Sequence, residues 1–125
     1  MDDATTISDL KELVASFVSE RDWAQFHNAK NLSMSIAIEA AELMEHFQWV
    51  QPDEVASFNQ AKRLGVREEL ADVVSYCLAF ANAMDIDLSS AVRQKMARNA
   101  EKYPAEKFQG RYGHDDPNYQ QDKAQ

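Results

Sequence analysis

Four segments of the chain carry apolar residues at the three- and four-residue spacing of an amphipathic α-helix. They cover about residues 7–21, 32–50, 66–84 and 88–102. Only three glycines and three prolines occur among the 125 residues, so little in the sequence interrupts helix formation. The pattern predicts an all-α, four-helix-bundle-like domain.

Residues at the ends of these segments are typical helix start and stop signals. Thr6 is followed three residues later by Asp9, as in a capping box. Asn31 is the predicted N-cap of the second helix. Pro52 ends that helix and opens a short helical turn, whereas Gly65 marks a kink or break before the third helix.

Length and composition favour one domain followed by a tail. The chain has 125 residues, of which 45% are apolar, enough for one core but not for two independent domains. We expect this domain to cover residues 1–104. Residues 105–125 are polar, carry two of the three glycines and show no period, so we expect a flexible C-terminal tail.

The charge of the chain limits its partners. A formal net charge of −8 repels nucleic-acid polymers and anionic membrane surfaces, although a divalent cation can still bridge the protein to a phosphorylated metabolite. The single cysteine, Cys77, allows no internal disulfide, and no apolar run reaches the ~20 residues of a membrane span. The N-terminus lacks the pattern of a signal peptide. We therefore expect a cytoplasmic protein.

Two pairs of acidic residues lie on the apolar sides of the second and third predicted helices. Glu39 and Glu42 are three positions apart, as are Glu69 and Asp72, so each pair shares one helical face. The residues four positions after these acids are Leu43, His46, Val73 and Tyr76. None of them is Lys or Arg, so ordinary surface ion pairs do not explain the acids.

Packing these two helical faces together would bring four carboxylates into a low-dielectric crevice. Their repulsion and desolvation would be costly or would force protonation. Mg²⁺, or Mn²⁺ as a substitute, relieves this cost because both prefer oxygen ligands. Mg²⁺ also binds substrate phosphates, so the pattern favours a catalytic site, in which an acid of the first of these helices accepts a proton from water. A di-iron bundle is excluded because no Glu-x-x-His occurs.

The segments around these acids resemble a known family. "EAAE" and "EELAD" are similar to the metal-binding signature of the MazG-like superfamily of all-α nucleoside triphosphate pyrophosphohydrolases. Four segments resemble the dCTP pyrophosphatase branch, and the resemblance extends over about residues 10–104. They are "ERDWAQFHNAKNL", "ELMEHFQW", "REELADVVSY" and "KMARNAEKYP". The resemblance implies Mg²⁺-dependent hydrolysis of a (deoxy)nucleoside triphosphate, with dCTP or modified dCTP expected, to the monophosphate and pyrophosphate.

The resemblance also assigns residues to the site. The metal ligands and catalytic acids are Glu39, Glu42, Glu69 and Asp72. Positions near the base and sugar are matched by Trp23, His27, Trp49 and Tyr76. Positions that face the phosphates are matched by Lys95, Asn99, Lys102 and Tyr103. Where several relatives have "GEVGEL", this chain has "IEAAEL", so the pocket shape and base preference are not carried over.

A bundle of this length is thin and its first helix has a wide apolar stripe. We therefore expect a homodimer or homotetramer whose pocket is bordered by a neighbouring chain. Two alternatives to an enzyme stay open at this point. One is a helical interaction module with purely structural acids, and the other is a nucleotide-binding regulator without turnover.

Overall fold

A computed structural model describes residues 1–111, and all regular structure in that range is helical. The α-helices are α1 (Ile7–Glu20), α2 (Ala29–Glu45), α3 (Gln60–Ala83), α4 (Leu88–Lys102) and α5 (Ala105–Phe108). Short 3₁₀ helices occur at Ala24–Phe26 and Pro52–Ser57. The chain divides into two compact units, Met1–Asp87 and the part that begins at Leu88.

Helix α1 begins with the predicted capping box. The backbone N–H of Asp9 donates to Thr6 Oγ1 at 3.1 Å, and the backbone N–H of Thr6 donates to Asp9 Oδ2 at 2.8 Å. Both bonds satisfy donors that have no partner inside the helix. The sequence signal for the start of α1 is thereby confirmed.

Helix α2 begins and ends earlier than predicted. Its N-cap is Asn28, whose side chain accepts the backbone N–H of Asn31 at 2.9 Å, so the prediction of Asn31 as the cap is wrong. The helix ends at Glu45 rather than at Val50. From His46 onward the backbone N–H groups bond three residues back, which tightens the chain into turns before Pro52.

Helix α3 begins at Gln60, six residues before the predicted Val66, because the Asn59 side chain caps it by accepting the backbone N–H of Lys62 at 2.9 Å. Gly65 lies inside this helix and marks no break, contrary to the prediction. A Cβ atom built on Gly65 would lie 2.9 Å from Cε1 of His46. The glycine therefore permits close packing of α3 against the end of α2.

In the first unit, α3 packs against both α2 and α1. Asn82 on α3 donates to the backbone oxygen of Lys11 at 2.9 Å, and Lys11 Nζ donates to the backbone oxygen of Ile86 at 2.9 Å. Buried apolar side chains in the described part of the chain are Leu32, Leu78, Ala79 and Ala81. This core is small for three helices of 14, 17 and 24 residues.

The second unit contains α4, whose bounds match the prediction, and the short helix α5. The rings of Tyr103 and Phe108 meet edge to face with centroids 5.1 Å apart. Helix α5 lies in the segment expected to be a tail, and residues 112–125 of that segment lie outside the described residues. The division at residue 104 stays a prediction.

Among residues 1–111, no helix has both the length and the apolar character needed to cross a bilayer.

Candidate active site

Helices α2 and α3 bring three carboxylates together. One carboxylate oxygen each of Glu39, Glu69 and Asp72 lie within 4.8 Å of one another. Glu39 and Glu69 are half-buried, whereas Asp72 is exposed. We refer to Glu39, Glu69 and Asp72, with the neighbouring Glu42, as the acid cluster.

Two oxygens of the acid cluster are buried and have no hydrogen-bond partner among residues 1–111. They are Oε2 of Glu39 and Oε2 of Glu69. Leaving a buried acceptor unsatisfied costs about 1 to 3 kcal/mol, and more for a charged group. Unsatisfied buried groups are rare in native folds, and a bound ion is one way to satisfy them, so these two oxygens among neighbouring carboxylates fit a cationic ligand.

The same two side chains have perturbed acidity. Burial raises the pKa of Glu39 from 4.5 to about 7, with further contributions from the carboxylates of Glu42, Asp72 and Glu69. Burial also raises the pKa of Glu69, and the neighbouring Glu42 and Asp72 carboxylates add to the effect. Negative charge is thus disfavoured at the centre of the acid cluster unless a cation compensates it.

The donor set suits a hard divalent cation. Each group of the acid cluster offers carboxylate oxygen, the ligand type that Mg²⁺ and Mn²⁺ prefer over nitrogen or sulfur. Glu42 is exposed and lies outside the compact group of three, yet it is near enough to raise the pKa of both half-buried acids. The two unpartnered oxygens and the absence of a neutralising base within the cluster fit a bound cation.

An apolar cleft of about 520 Å³ lies beside Asp72, between α1, the first 3₁₀ helix and α3. Three of the residues predicted to lie near the base and sugar line this cleft together: Trp23, His27 and Tyr76. Its other walls are Leu13, Val14, Phe17, Val18, Ser75 and Ala79. The sequence analysis attributed the wide apolar stripe of α1 to an oligomer interface, because an apolar helical stripe gives no sign that part of it lines a cleft.

A tight turn places Trp23 in the wall of this apolar cleft. Asp22 adopts a left-handed conformation with φ 54°, and the backbone N–H of Trp23 returns to the backbone oxygen of Val18 at 3.0 Å. The Trp23 ring meets the Phe17 ring edge to face, with centroids 5.7 Å apart. The Arg21 guanidinium lies 3.7 Å from the Phe17 ring centroid. These contacts restrict the Trp23 ring.

A second, polar cleft of about 730 Å³ lies on α2 and the start of α3. Its lining residues are Glu42, Glu45, His46, Asn59, Ala61, Lys62 and Glu69. Glu42 and Glu69 belong to both this cleft and the acid cluster. Since Asp72 lines the apolar cleft, the acid cluster borders both clefts.

This site geometry coincides with a family match. A model of the family described as MazG-like matches residues 34–113. The chain belongs to the MazG-like family. The predicted family is therefore confirmed, and the matched range contains all four acids of the acid cluster.

Relatives of this MazG-like chain include dCTP pyrophosphatase 1 of Bos taurus, 39% identical over 108 residues that cover 84% of this chain and 63% of that protein. The Homo sapiens dCTP pyrophosphatase 1 is 40% identical over 102 residues, covering 80% of this chain and 60% of that protein. The matched region thus spans less than two thirds of each of these relatives.

Among solved structures, this MazG-like chain is similar to a crystal structure of a pyrophosphatase from Archaeoglobus fulgidus. The TM-score is 0.73 and the sequences are 39% identical, with 78% of this chain and 91% of the other covered. The likeness confirms the predicted all-α, MazG-like fold.

The remaining predicted site residues of the MazG-like chain lie apart from the two clefts or in the second unit. Trp49 follows α2, is 86% exposed and lines neither cleft. Lys95, Asn99 and Lys102 lie on α4, and Lys102 Nζ is 5.2 Å from the Tyr103 ring centroid. Their assignment to nucleoside and phosphates stays a prediction from the resemblance.

Proposed function

We propose that this MazG-like domain hydrolyses (deoxy)nucleoside triphosphates to the monophosphate and pyrophosphate, with dCTP or a modified dCTP preferred. The observation that carries the proposal is the pair of unpartnered, buried carboxylate oxygens beside a nucleoside-sized apolar cleft. The names of the relatives, dCTP pyrophosphatase 1 and a pyrophosphatase, support the same reaction. The biological role that follows is maintenance of the nucleotide pool.

Glu39, Glu42, Glu69 and Asp72 would hold Mg²⁺, or Mn²⁺ in its place. When bound, the ion neutralises the negative charge of the triphosphate so that water can approach phosphorus. In the reaction, the water oxygen bonds to the α-phosphorus while the bond from that phosphorus to the bridging oxygen breaks. The bond's electron pair leaves with pyrophosphate, and the proton of the water passes to an α2 carboxylate.

The apolar cleft is the site for the base and sugar. Trp23 and Tyr76 offer ring faces for stacking, which is worth about 1 to 3 kcal/mol per base. His27 supplies a polar group in the same cleft. The resemblance also matches Trp49 to a position near the nucleoside, and it matches Lys95, Asn99, Lys102 and Tyr103 to phosphate-binding positions of the family.

The partner proposed for this chain is another copy of itself, in a homodimer or homotetramer. On α2, Met34, Ile38 and Met44 are 52%, 55% and 59% exposed, and on α3, Leu70 and Val74 are 52% and 44% exposed. Exposed apolar side chains on two helices that pack together are the kind of surface that another copy of the chain would cover. Sedimentation equilibrium measures the assembly, and a monomer at micromolar concentration would contradict it.

The function is tested by measuring pyrophosphate release from a panel of NTPs and dNTPs in the presence of Mg²⁺. We expect turnover by the native protein, and loss of turnover in EDTA and in Glu42→Gln and Asp72→Asn. Glu68→Gln is the matched control, since this exposed acid neighbours Glu69 but lies outside the acid cluster.

The alternatives give different outcomes in the same assay. A regulator without turnover would bind the Mg²⁺–nucleotide complex and release no pyrophosphate. A helical interaction module would respond to neither metal nor nucleotide. If the folded protein released no pyrophosphate from any NTP or dNTP, the proposed activity would be contradicted. A nucleotide-binding measurement would then separate the two alternatives.

A further inference from the structure

The acid cluster borders two clefts of opposite chemical character. Asp72 lies in the wall of the apolar cleft, and Glu42 and Glu69 lie in the wall of the polar cleft. Carboxylate oxygens of Glu69 and Asp72 are within 4.8 Å of each other, so the two walls meet at the acid cluster. A nucleoside triphosphate has the same order of parts, with an aromatic base whose faces stack at one end, the α-phosphorus in the middle and a polyanion at the other end.

Resting on the function proposed above, we propose that the polar cleft is the subsite for the leaving pyrophosphate and that Lys62 contributes a positively charged contact to it. With the base in the apolar cleft and the α-phosphorus at the acid cluster, the β- and γ-phosphates extend into the polar cleft. Lys62 carries the only fixed positive charge among the described residues that line this cleft.

The local structure of Lys62 suits this role. The side chain is half-buried, and Nζ lies 4.6 Å from the centroid of the Phe58 ring. Within residues 1–111, neither ion pair of the structure involves Lys62. The side chain is thus partly shielded from water, its ammonium group lies above an aromatic ring, and among residues 1–111 it has no carboxylate partner that a phosphate would need to displace.

The position of Lys62 along α3 matches the length of the ligand. Lys62 and Glu69 are seven residues apart on the same helix, about 10 Å along its axis. A pyrophosphate group bound beside Glu69 spans part of that separation, and the Lys62 side chain would leave the Phe58 ring to reach it. Lys62 also lies in the first turn of α3, where the partial positive charge of the helix N-terminus favours an anion.

Three carboxylates also line the polar cleft. Their negative charge determines whether pyrophosphate binds there as the free anion or as its magnesium complex. Glu42 and Glu69 belong to the acid cluster, where a divalent cation would compensate them, and Glu45 is exposed to solvent. We therefore expect the magnesium complex of pyrophosphate, rather than the free anion, to occupy this cleft.

Calorimetric titration of the full chain with inorganic pyrophosphate in Mg²⁺ tests the proposal. We expect Lys62→Met to weaken pyrophosphate binding about tenfold or more, because a charge-assisted hydrogen bond is lost. Methionine keeps the apolar stem over Phe58, so folding should be preserved. Lys62→Arg keeps the charge and should restore most of the affinity. Lys30→Met, at an exposed lysine that lines neither cleft, is the matched control.

A parallel titration with dCMP separates the two clefts, since dCMP carries no pyrophosphate. Its affinity should be unchanged in Lys62→Met. The proposal is overturned if native protein does not bind pyrophosphate, if Lys62→Met binds it as tightly as native protein, or if dCMP is weakened equally. Absence of pyrophosphate release from every triphosphate would instead contradict the proposed function, and the binding data on Lys62 would stand separately.

Discussion

Gly65 on α3 faces the imidazole of His46 at the end of α2, and a Cβ atom on Gly65 would lie 2.9 Å from Cε1 of that ring. Glycine inside a helix costs about 1 kcal/mol relative to alanine. The close contact accounts for a glycine at this position. Gly65 precedes Glu69 by one helical turn and His46 follows Glu42 by one turn, so the contact supports the helices directly beside the acid cluster.

Gly65→Ala should therefore raise the free energy of unfolding by less than the roughly 1 kcal/mol that helix propensity alone would give, because the new Cβ atom has to displace the tip of the His46 ring. In a His46→Ala background the same substitution should stabilise the protein by about 1 kcal/mol, since the ring is gone. Urea denaturation of the four proteins completes the cycle. Equal effects in the two backgrounds would show that Gly65 does not accommodate His46.

Glu69→Gln should make the metal-free protein more stable, because it removes a half-buried charge whose Oε2 has no partner. The same variant should lose the increase in Tm that Mg²⁺ gives to the native protein. Thermal unfolding in EDTA and in Mg²⁺ measures both effects. Glu68→Gln, the exposed neighbour, should change neither, and a loss of stability in metal-free Glu69→Gln would contradict the account of the acid cluster.

The metal-free protein should lose stability as pH rises from about 4.5 to about 7. Burial raises the pKa of Glu39 from 4.5 to about 7, so over this range the folded state binds a proton that the unfolded state releases. The free energy of unfolding is therefore highest below the pKa that Glu39 has in the unfolded state. It is lowest above the pKa that Glu39 has in the folded state. Urea denaturation in EDTA across this range measures the slope.

In Glu39→Gln that slope should become shallower, with a remainder from Glu69, whose pKa is also raised. Glu45→Gln, which lines the polar cleft outside the acid cluster, should keep the native slope. An unchanged slope in Glu39→Gln would show that this carboxyl is not the titrating group.

Trp23→Leu should weaken dCMP binding by about tenfold to a hundredfold, because loss of a stacking surface costs about 1 to 3 kcal/mol. Phe26→Leu removes an exposed aromatic ring from the adjacent 3₁₀ helix that does not line the apolar cleft, so it should bind normally. Calorimetry compares the two variants. Equal affinities in Trp23→Leu and native protein would remove Trp23 from the nucleoside site.

Helix bounds were predictable where local signals act alone. The capping box at Thr6 and the start of α4 after a short loop were read correctly from sequence. Gly65 was wrongly predicted to mark a kink or break. The sequence alone does not distinguish a glycine that ends a helix from one that makes room for a neighbouring ring. Only the position of His46 distinguishes the two, and that position depends on tertiary packing.

The convergence of the acids was predictable for the same kind of reason. The three-residue spacings bring Glu39, Glu69 and Asp72 together where α2 and α3 pack, whereas Glu42 stays exposed outside this compact group. The apolar cleft and the Lys62 side of the polar cleft were not predictable. Both depend on turns and 3₁₀ segments, whose paths between helices leave no periodic signal.

The buried apolar side chains in the described part of the chain are few, namely Leu32, Leu78, Ala79 and Ala81. If copies of the chain supply the missing contacts to one another, folding and assembly share one equilibrium, and protein concentration enters the stability itself. Dilution should then act as a denaturant. We expect the Tm to fall steadily with each dilution, so that stability values for this protein have meaning only at a stated concentration.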